Sequence, residues 1–218
     1  MGGRYDLVIF DMDGTLTSVR SSWGYVHDVL GVSNEDAYRA FVNMEIDEAE
    51  FMRRDIGLWM EARPGITVDD VGEILRGVPL VSGIGETVNR LSSEGIRTAI
   101  CSGGIDMAAK MIAERFGFDH YVADGLETHP DGRLTGEGII NVDLRDKSGC
   151  VDDILAHFGV DPDRAVSVGN SYTDIPMFKK TGMSIAFNPV DMEYTGAAAD
   201  HVIKSDCLTA ILGVILEV

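Results

Sequence analysis

The sequence predicts an α/β fold: a doubly wound parallel sheet with a helical insert after its first strand. Three observations carry this expectation. The run LVIF at 7–10 is uniformly apolar, as in a strand buried on both faces, where a strand with one wet face would alternate. Strand signals recur at 97–101, 119–123, 165–168, 183–187 and 201–203, mostly separated by helical patterns such as GETVNRLSSEG and IDMAAKMIAERFG, which is the rhythm of βαβ units. Residues 17–79 differ, carrying helical periodicity throughout and no convincing strand.

Taken in order, the first strand, Tyr5 to Phe10, runs directly into Asp11-Met12-Asp13. Asp13-Gly14 alone would read as a turn. In extended chain, however, side chains at i and i+2 leave the same face. Two carboxylates so placed repel unless a cation or a shared proton relieves them. Ligands of parallel sheets bind beyond the carboxyl ends of the strands, where this pair sits.

The insert reads as about four helices, around SWGYVHDVLG, NEDAYRAFVNM, DEAEFMRRDIGLWMEA and TVDDVGEILRG, punctuated by Gly31, Pro64-Gly65 and Gly77-Val78-Pro79. This divides the chain into a core of residues 1–16 and 80–218 and a helical cap of residues 17–79. Trp23, Phe41, Phe51 and Trp59 recur on helical faces and read as the insert's own core. In the rest of the chain, Gly95 and Gly117 suit left-handed helix ends. LETHPDGRLTGEGI, with Pro-Asp-Gly between two short runs, reads as a β-hairpin making a surface excursion. LTAILGVILEV reads as a closing helix, far too short to span a bilayer.

Composition narrows the function classes. A chain of 218 residues supports one core with a modest insertion, or two small domains. Its 36 acidic and 18 basic residues give a formal charge of -18, which repels nucleic acid and anionic membranes. Cys101, Cys150 and Cys207 are odd in number and lack CxxC spacing, so neither a disulfide framework nor a zinc site is expected. With no signal-peptide pattern at the N-terminus, a reducing, cytoplasmic setting is expected. His27, His120, His129, His157 and His201 lack metal-ligand spacing. SGIGE and SGGIDM are neither a P-loop nor a dinucleotide fingerprint, so no nucleotide cofactor is implied.

Other strand ends also finish in polar sequence. TAICSGG places Ser102, Gly103 and Gly104 where a hydroxyl and backbone N–H groups could hold an anion. AVSVGNSYTDIPMF places Asn170 and Asp174 just past a later strand, and Lys147 opens the helix of DKSGCVDDIL. Singly these are weak signals: Ser-Gly-Gly is usually a turn and a lone Lys is usually solvated. Jointly they resemble, over essentially the whole chain, a haloacid dehalogenase-superfamily phosphatase of the phosphoserine phosphatase-like branch. DMDGT is similar to the first motif of that family, Ser102 to the second, Lys147 to the third and GNSYTD to the fourth.

The resemblance implies a Rossmann-like core, a small helical cap and hydrolysis of a small phosphorylated metabolite with Mg2+ as cofactor. Asp11 is then the nucleophile and Asp13 the acid and base, with Lys147 offsetting charge. Ser102 and the backbone of Gly103 and Gly104 are the phosphate contacts, joined by Thr15 and Thr173. The Mg2+ ligands are drawn from Asp11, Asp13, Asn170 and Asp174. Met44 and Phe51 come within reach of the cap's active-site face.

Two departures follow from the same resemblance. Asn170 stands where these phosphatases usually carry Asp, which leaves open whether Asp174 takes over the metal contact, or whether the protein binds without turnover. Arg20 and Asp55 occupy the positions of a Glu that holds the serine ammonium and an Arg that holds its carboxylate, with Arg53 and Arg54 adjacent. Both charges are reversed, so phosphoserine itself, or transfer to another small alcohol, is the alternative to hydrolysis of some other phosphomonoester. Oligomeric state is not legible.

Overall fold

The computed structural model describes residues 4–217. Seven strands form one sheet: β1 (Leu7–Phe10), β2 (Arg97–Ile105), β3 (His120–Thr128), β4 (Leu134–Ile139), β5 (Ala165–Gly169), β6 (Met183–Phe187) and β7 (His201–Ile203). Their spatial order is β4-β3-β2-β1-β5-β6-β7, with every pairing parallel except β3 with β4. Between β1 and β2 run α1 (Ser22–Leu30), α2 (Glu35–Val42), α3 (Glu48–Ala62), α4 (Val68–Leu75) and α5 (Ile84–Ser93). Helix α6 (Asp106–Phe116) follows β2, and α7 (Ser148–Phe158) follows β4.

The two faces of β1 explain the uniformly apolar run. Val8 and Phe10 pack with Val88 and Leu91 of α5 and Ile112 of α6. Leu7 and Ile9 point the other way, into Val151, Ile154 and Leu155 of α7. All four strand residues are fully buried. Helices on both faces thus demand apolar residues at every position of the central strand.

Polar side chains start the insert's helices. Ser21 Oγ accepts the Gly24 N–H, Asp47 accepts the Glu50 N–H, and Thr67 and Asp70 exchange bonds in a capping box. Inside, the Trp23 and Trp59 rings stack with centroids 5.3 Å apart. The Trp59 indole N–H donates to His27 Nδ1 at 2.8 Å. An indole nitrogen can only donate, so the His27 ring proton sits on Nε2. That nitrogen lies 3.3 Å from Asp55 Oδ2.

Three local outcomes differ from the sequence reading. Strand β2 continues past Cys101 through Gly103-Gly104, with a register shift against β3 between Ser102 and Ile105, so the bulge carries the chain straight into α6. The C-terminal segment forms a 3-10 turn, Leu208–Ile211, running into one α-turn, Leu212–Ile215, where a single helix was expected. The hairpin β3–β4 is no free excursion. The Val68 N–H donates to Gly132 O and the Leu134 N–H to Ile66 O, Arg53 of α3 pairs with Glu137, and Met52 packs so tightly on Gly138 that an added Cβ would lie 2.3 Å from Met52 Cε. The hairpin is therefore one wall of the helical insert.

That packing is measurable. Leu134 is 2% exposed. Leu134→Ala is expected to lower unfolding free energy in urea by about 2–4 kcal/mol, as for a buried leucine. On a free surface arm the same change costs less than about 0.5 kcal/mol.

Candidate active site

The end of β1 is extended by one ladder bond, from the Asp11 N–H to Val168 O at 2.8 Å, which fixes Asp11 at the mouth of the sheet. Lys147, at the start of α7, reaches it: Nζ lies 2.7 Å from Asp11 Oδ1 and 2.7 Å from Asp174 Oδ1. Asp174 is itself held from the turn after β5, where its Oδ2 accepts the N–H groups of Asn170 and Ser171 at 2.8 and 2.9 Å. Burial opposes the Lys147 charge, but the two carboxylates outweigh it and keep the ammonium form well above the ordinary lysine value. Burial, and after it the Asp174 charge, push the Asp11 carboxyl up to about 7 despite Lys147. The protein alone thus leaves an excess of negative charge here.

Asp13 is arranged asymmetrically. Its Oδ2 accepts both the Ser22 N–H at 2.7 Å and the Ser22 hydroxyl at 2.8 Å. The Ser22 oxygen in turn accepts the Ile105 N–H at 2.9 Å, which turns the hydroxyl proton toward Asp13. Oδ1 of Asp13 is buried and has no protein partner. Burial raises the Asp13 pKa against the pull of the Ser22 donors. A proton taken up by this carboxyl therefore belongs on Oδ1.

Two glycines make the close approach possible. A Cβ at Gly104 would fall 2.5 Å from Met12 Cε and 2.6 Å from Asp13 Oδ2. At Gly14, with φ of 82°, it would fall 2.1 Å from Asn170 Nδ2. The Gly104 N–H is not open to an anion, because it donates to Ser102 Oγ at 3.1 Å. Gly104 lines the cavity with the other expected phosphate contacts, its own N–H turned to Ser102. Ser102 keeps its hydroxyl proton and lines the cavity beside Gly103. Thr15 lies 3.5 Å from Asp11 Oδ2, and Thr173 lines the same cavity with its hydroxyl 2.7 Å from that of Ser171.

The donor set fits a hard divalent cation. Asn170 Oδ1 is buried without a partner, as is Asp13 Oδ1, in a site with surplus negative charge. No three His, Cys, Asp or Glu side chains converge on one point among the described residues. An amide oxygen, one carboxylate, backbone carbonyl and water make the kind of shell that Mg2+ accepts. Asp174, in contrast, has both oxygens occupied by Lys147 and by N–H groups.

Above these groups lies a cavity of about 670 Å³ reaching into the insert. Arg20 and Asp55 both border it. Asp55 is only 2% exposed, and both its oxygens accept from Asn34 Nδ2, at 3.1 and 3.2 Å. The bare acid expected there is thus already hydrogen-bonded. Arg53 and Arg54 are tied to Glu50, and Arg53 also to Glu137, away from the cavity lining. Met44 and Phe51 do line it.

Comparison with known proteins agrees with this geometry. The family model of haloacid dehalogenase-like hydrolases matches residues 8–179. The chain belongs to that family. Within it, the chain is phosphoserine phosphatase-like. It is 30% identical over 213 residues to the phosphoserine phosphatase of Idiomarina loihiensis, covering 95% of this chain and 92% of that one. It is 29% identical to that of Methanocaldococcus jannaschii, covering 86% and 87%. A solved structure described as a phospho-aspartyl intermediate analogue of phosphoserine phosphatase superposes with a TM-score of 0.80 at 26% identity, covering 97% and 99%. The chain is thus a haloacid dehalogenase-like hydrolase of phosphatase kinship and fold.

Ser22 escapes a sequence reading of this family member, since a Ser-Ser pair before a helix looks only like a cap. The one available signal is its adjacency to Trp23 at the start of the insert. Ser22→Ala removes two-thirds of a relay that ends on a charged group, where each hydrogen bond is worth about 1.5–3 kcal/mol. A loss of roughly 10- to 100-fold in kcat/KM is expected for alkyl phosphates. Steady-state kinetics should show a smaller loss for an aryl ester, whose leaving group needs less help from a proton.

Proposed function

We propose that the protein is a Mg2+-dependent phosphomonoester hydrolase that works through an aspartyl-phosphate on Asp11. The observation that carries this reading is the asymmetry of Asp13, one oxygen pinned by Ser22 and the other buried, unpartnered and beside a Lys147-held carboxylate. In the first step an Asp11 oxygen attacks phosphorus and the P–O ester bond breaks, the departing alkoxide taking the proton from Asp13 Oδ1. In the second, water attacks the acyl phosphate, Asp13 accepts its proton, and Asp11 and inorganic phosphate are regenerated. Lys147 and Ser102 hold phosphoryl oxygens through the transition state. Asp11, the Asp13 backbone carbonyl and Asn170 would hold Mg2+, whose charge would let an anionic nucleophile meet an anionic substrate.

The partner is then a small phosphorylated metabolite, in a reducing, cytoplasmic setting that suits the free Cys101 and Cys150 thiols. No helix among the described residues is long and apolar enough to cross a membrane. Phosphoserine as substrate is the second reading, favoured by the names of the relatives.

Release of phosphate in Mg2+, abolished by EDTA, is expected from the wild type, and Asp11→Asn should lose turnover with an unchanged circular dichroism spectrum. Wild-type activity in that variant ends the mechanism. Asn170→Asp adds an anionic oxygen to a hard-cation site. The Mg2+ concentration giving half-maximal activity should fall several-fold, and an unchanged value would remove Asn170 from the metal shell.

A further inference from the structure

Resting on the phosphatase reading, we propose that the alcohol part of the substrate is a bulky apolar or aromatic group, larger and less polar than an amino-acid side chain. The cavity above Asp11 and Asp13 occupies about 670 Å³, within the range of roughly 300–1,000 Å³ of pockets that enclose drug-sized ligands. That volume takes in the phosphate end, with Asp11, Lys147 and Asn170 in its lining, as well as the part lined by the insert.

Its size is fixed by bonds between insert and core. The Trp23 indole N–H donates to Gly103 O at 3.1 Å, Arg145 Nη2 donates to Phe41 O at 2.8 Å, and the Leu144 N–H meets the Glu48 carboxylate at 3.3 Å.

Part of the cavity wall contributed by the insert is aromatic. The Phe41 and Phe51 rings stack with centroids 4.8 Å apart and planes within 9°, and the Arg145 guanidinium sits 4.4 Å over Phe41. The rim is apolar although it is wet. Tyr38, Val42 and Met44 of the insert are 53%, 51% and 77% exposed, and Tyr172 and Val190 of the core are 57% and 48% exposed. All five line this cavity, out of eleven large exposed hydrophobics among the described residues. Single exposed hydrophobics are ordinary, but a facing set around one cleft marks a binding surface. Met44 is moreover held at φ 60°, a conformation unfavourable for any residue with a side chain.

The acidic groups around the tail are largely engaged within the protein. Asp55 accepts from Asn34 and has His27 Nε2 3.3 Å from its Oδ2, and Asp124 Oδ1 takes the N–H groups of Asn141 and Val142. Arg20 has no ion-pair partner among the described residues, so an ammonium entering here meets a like charge.

The test compares 3-phenylpropyl phosphate, propyl phosphate and L-phosphoserine with Mg2+. All three release primary alcohols, and that of phosphoserine is the best leaving group, so a preference for the phenyl ester reads tail binding alone. The phenylpropyl ester should show kcat/KM at least about tenfold above both others, the scale on which a pocket discriminates apolar groups. In the double variant Val42→Ser with Met44→Ser, at two exposed positions, the ratio of phenylpropyl to propyl should fall several-fold. Equal or better turnover of propyl phosphate or phosphoserine overturns the substrate class and leaves the phosphatase reading standing. A ratio unmoved by the double variant likewise overturns the assignment of the rim. If none of the three esters is hydrolysed, the phosphatase reading falls as well.

Discussion

An ammonium buried between two carboxylates is the constraint around which this structure is organised. The Lys147, Asp11 and Asp174 side chains are 3%, 5% and 0% exposed. Removing charges from water costs several kcal/mol per ion, and the loss is recovered only by close contact and further hydrogen bonds. The end of β1, the start of α7 and the turn after β5 must therefore meet within hydrogen-bond distance. The apolar faces of β1 and α7 that pack Leu7 and Ile9 on Val151 and Ile154 are what hold them there. Two carboxylates against one ammonium leave the triad negative, and Asp13 adds to the imbalance when ionised. A site of this kind is stable as folded yet short of positive charge, and on the proposed reading a divalent cation would make up the shortfall before an anionic phosphoryl group approaches.

The boundary between insert and core does not divide the chemistry. Ser22 is the first residue of an insert helix, yet its hydroxyl joins Ile105 of the core sheet to Asp13. Trp23, its neighbour, bonds Gly103 O on one side and stacks on Trp59 on the other. The first turn of α1 is thus a clamp that fixes the acid's orientation and the insert's position together. A displacement of the insert that broke the Ser22 bonds would also release Asp13 Oδ2, so the Asp13 carboxylate and the cavity shape are coupled through one serine.

Much of this was legible because it is local. LVIF followed by two acids, the strand ends at Ser102 and Asn170, and Lys147 at a helix start each depend on a few neighbouring residues, and the alternation of elements sets which end of the sheet they share. What escaped depends on segments distant in the chain. The hairpin shows its turn in Pro-Asp-Gly, but its docking on α3 rests on Met52 meeting Gly138. The bond from the Gly104 N–H to the hydroxyl two residues before it has no signal in the Ser-Gly-Gly sequence. Asp55 was read by its charge, whereas its surroundings are Asn34, 21 residues away, and the His27 ring. A charge seen in sequence says nothing of the partners that will spend it.

The two ends of the cavity are built under different rules. At the phosphate end every group is buried and shares a partner with the next, so a change at Gly104, Ser22 or Asp174 disturbs several others and the arrangement can persist only as a set. At the exposed rim Tyr38, Val42, Met44 and Tyr172 are each about half exposed or more, and surface substitutions of that kind move stability by only about 0.5 kcal/mol. The chemistry is consequently hard to alter and the choice of alcohol easy. Identity of 26–30% to phosphoserine phosphatases over nearly the whole chain is enough to carry over the first of these. It does not carry over the second, because the residues that would recognise the alcohol are the ones whose exchange the fold scarcely registers.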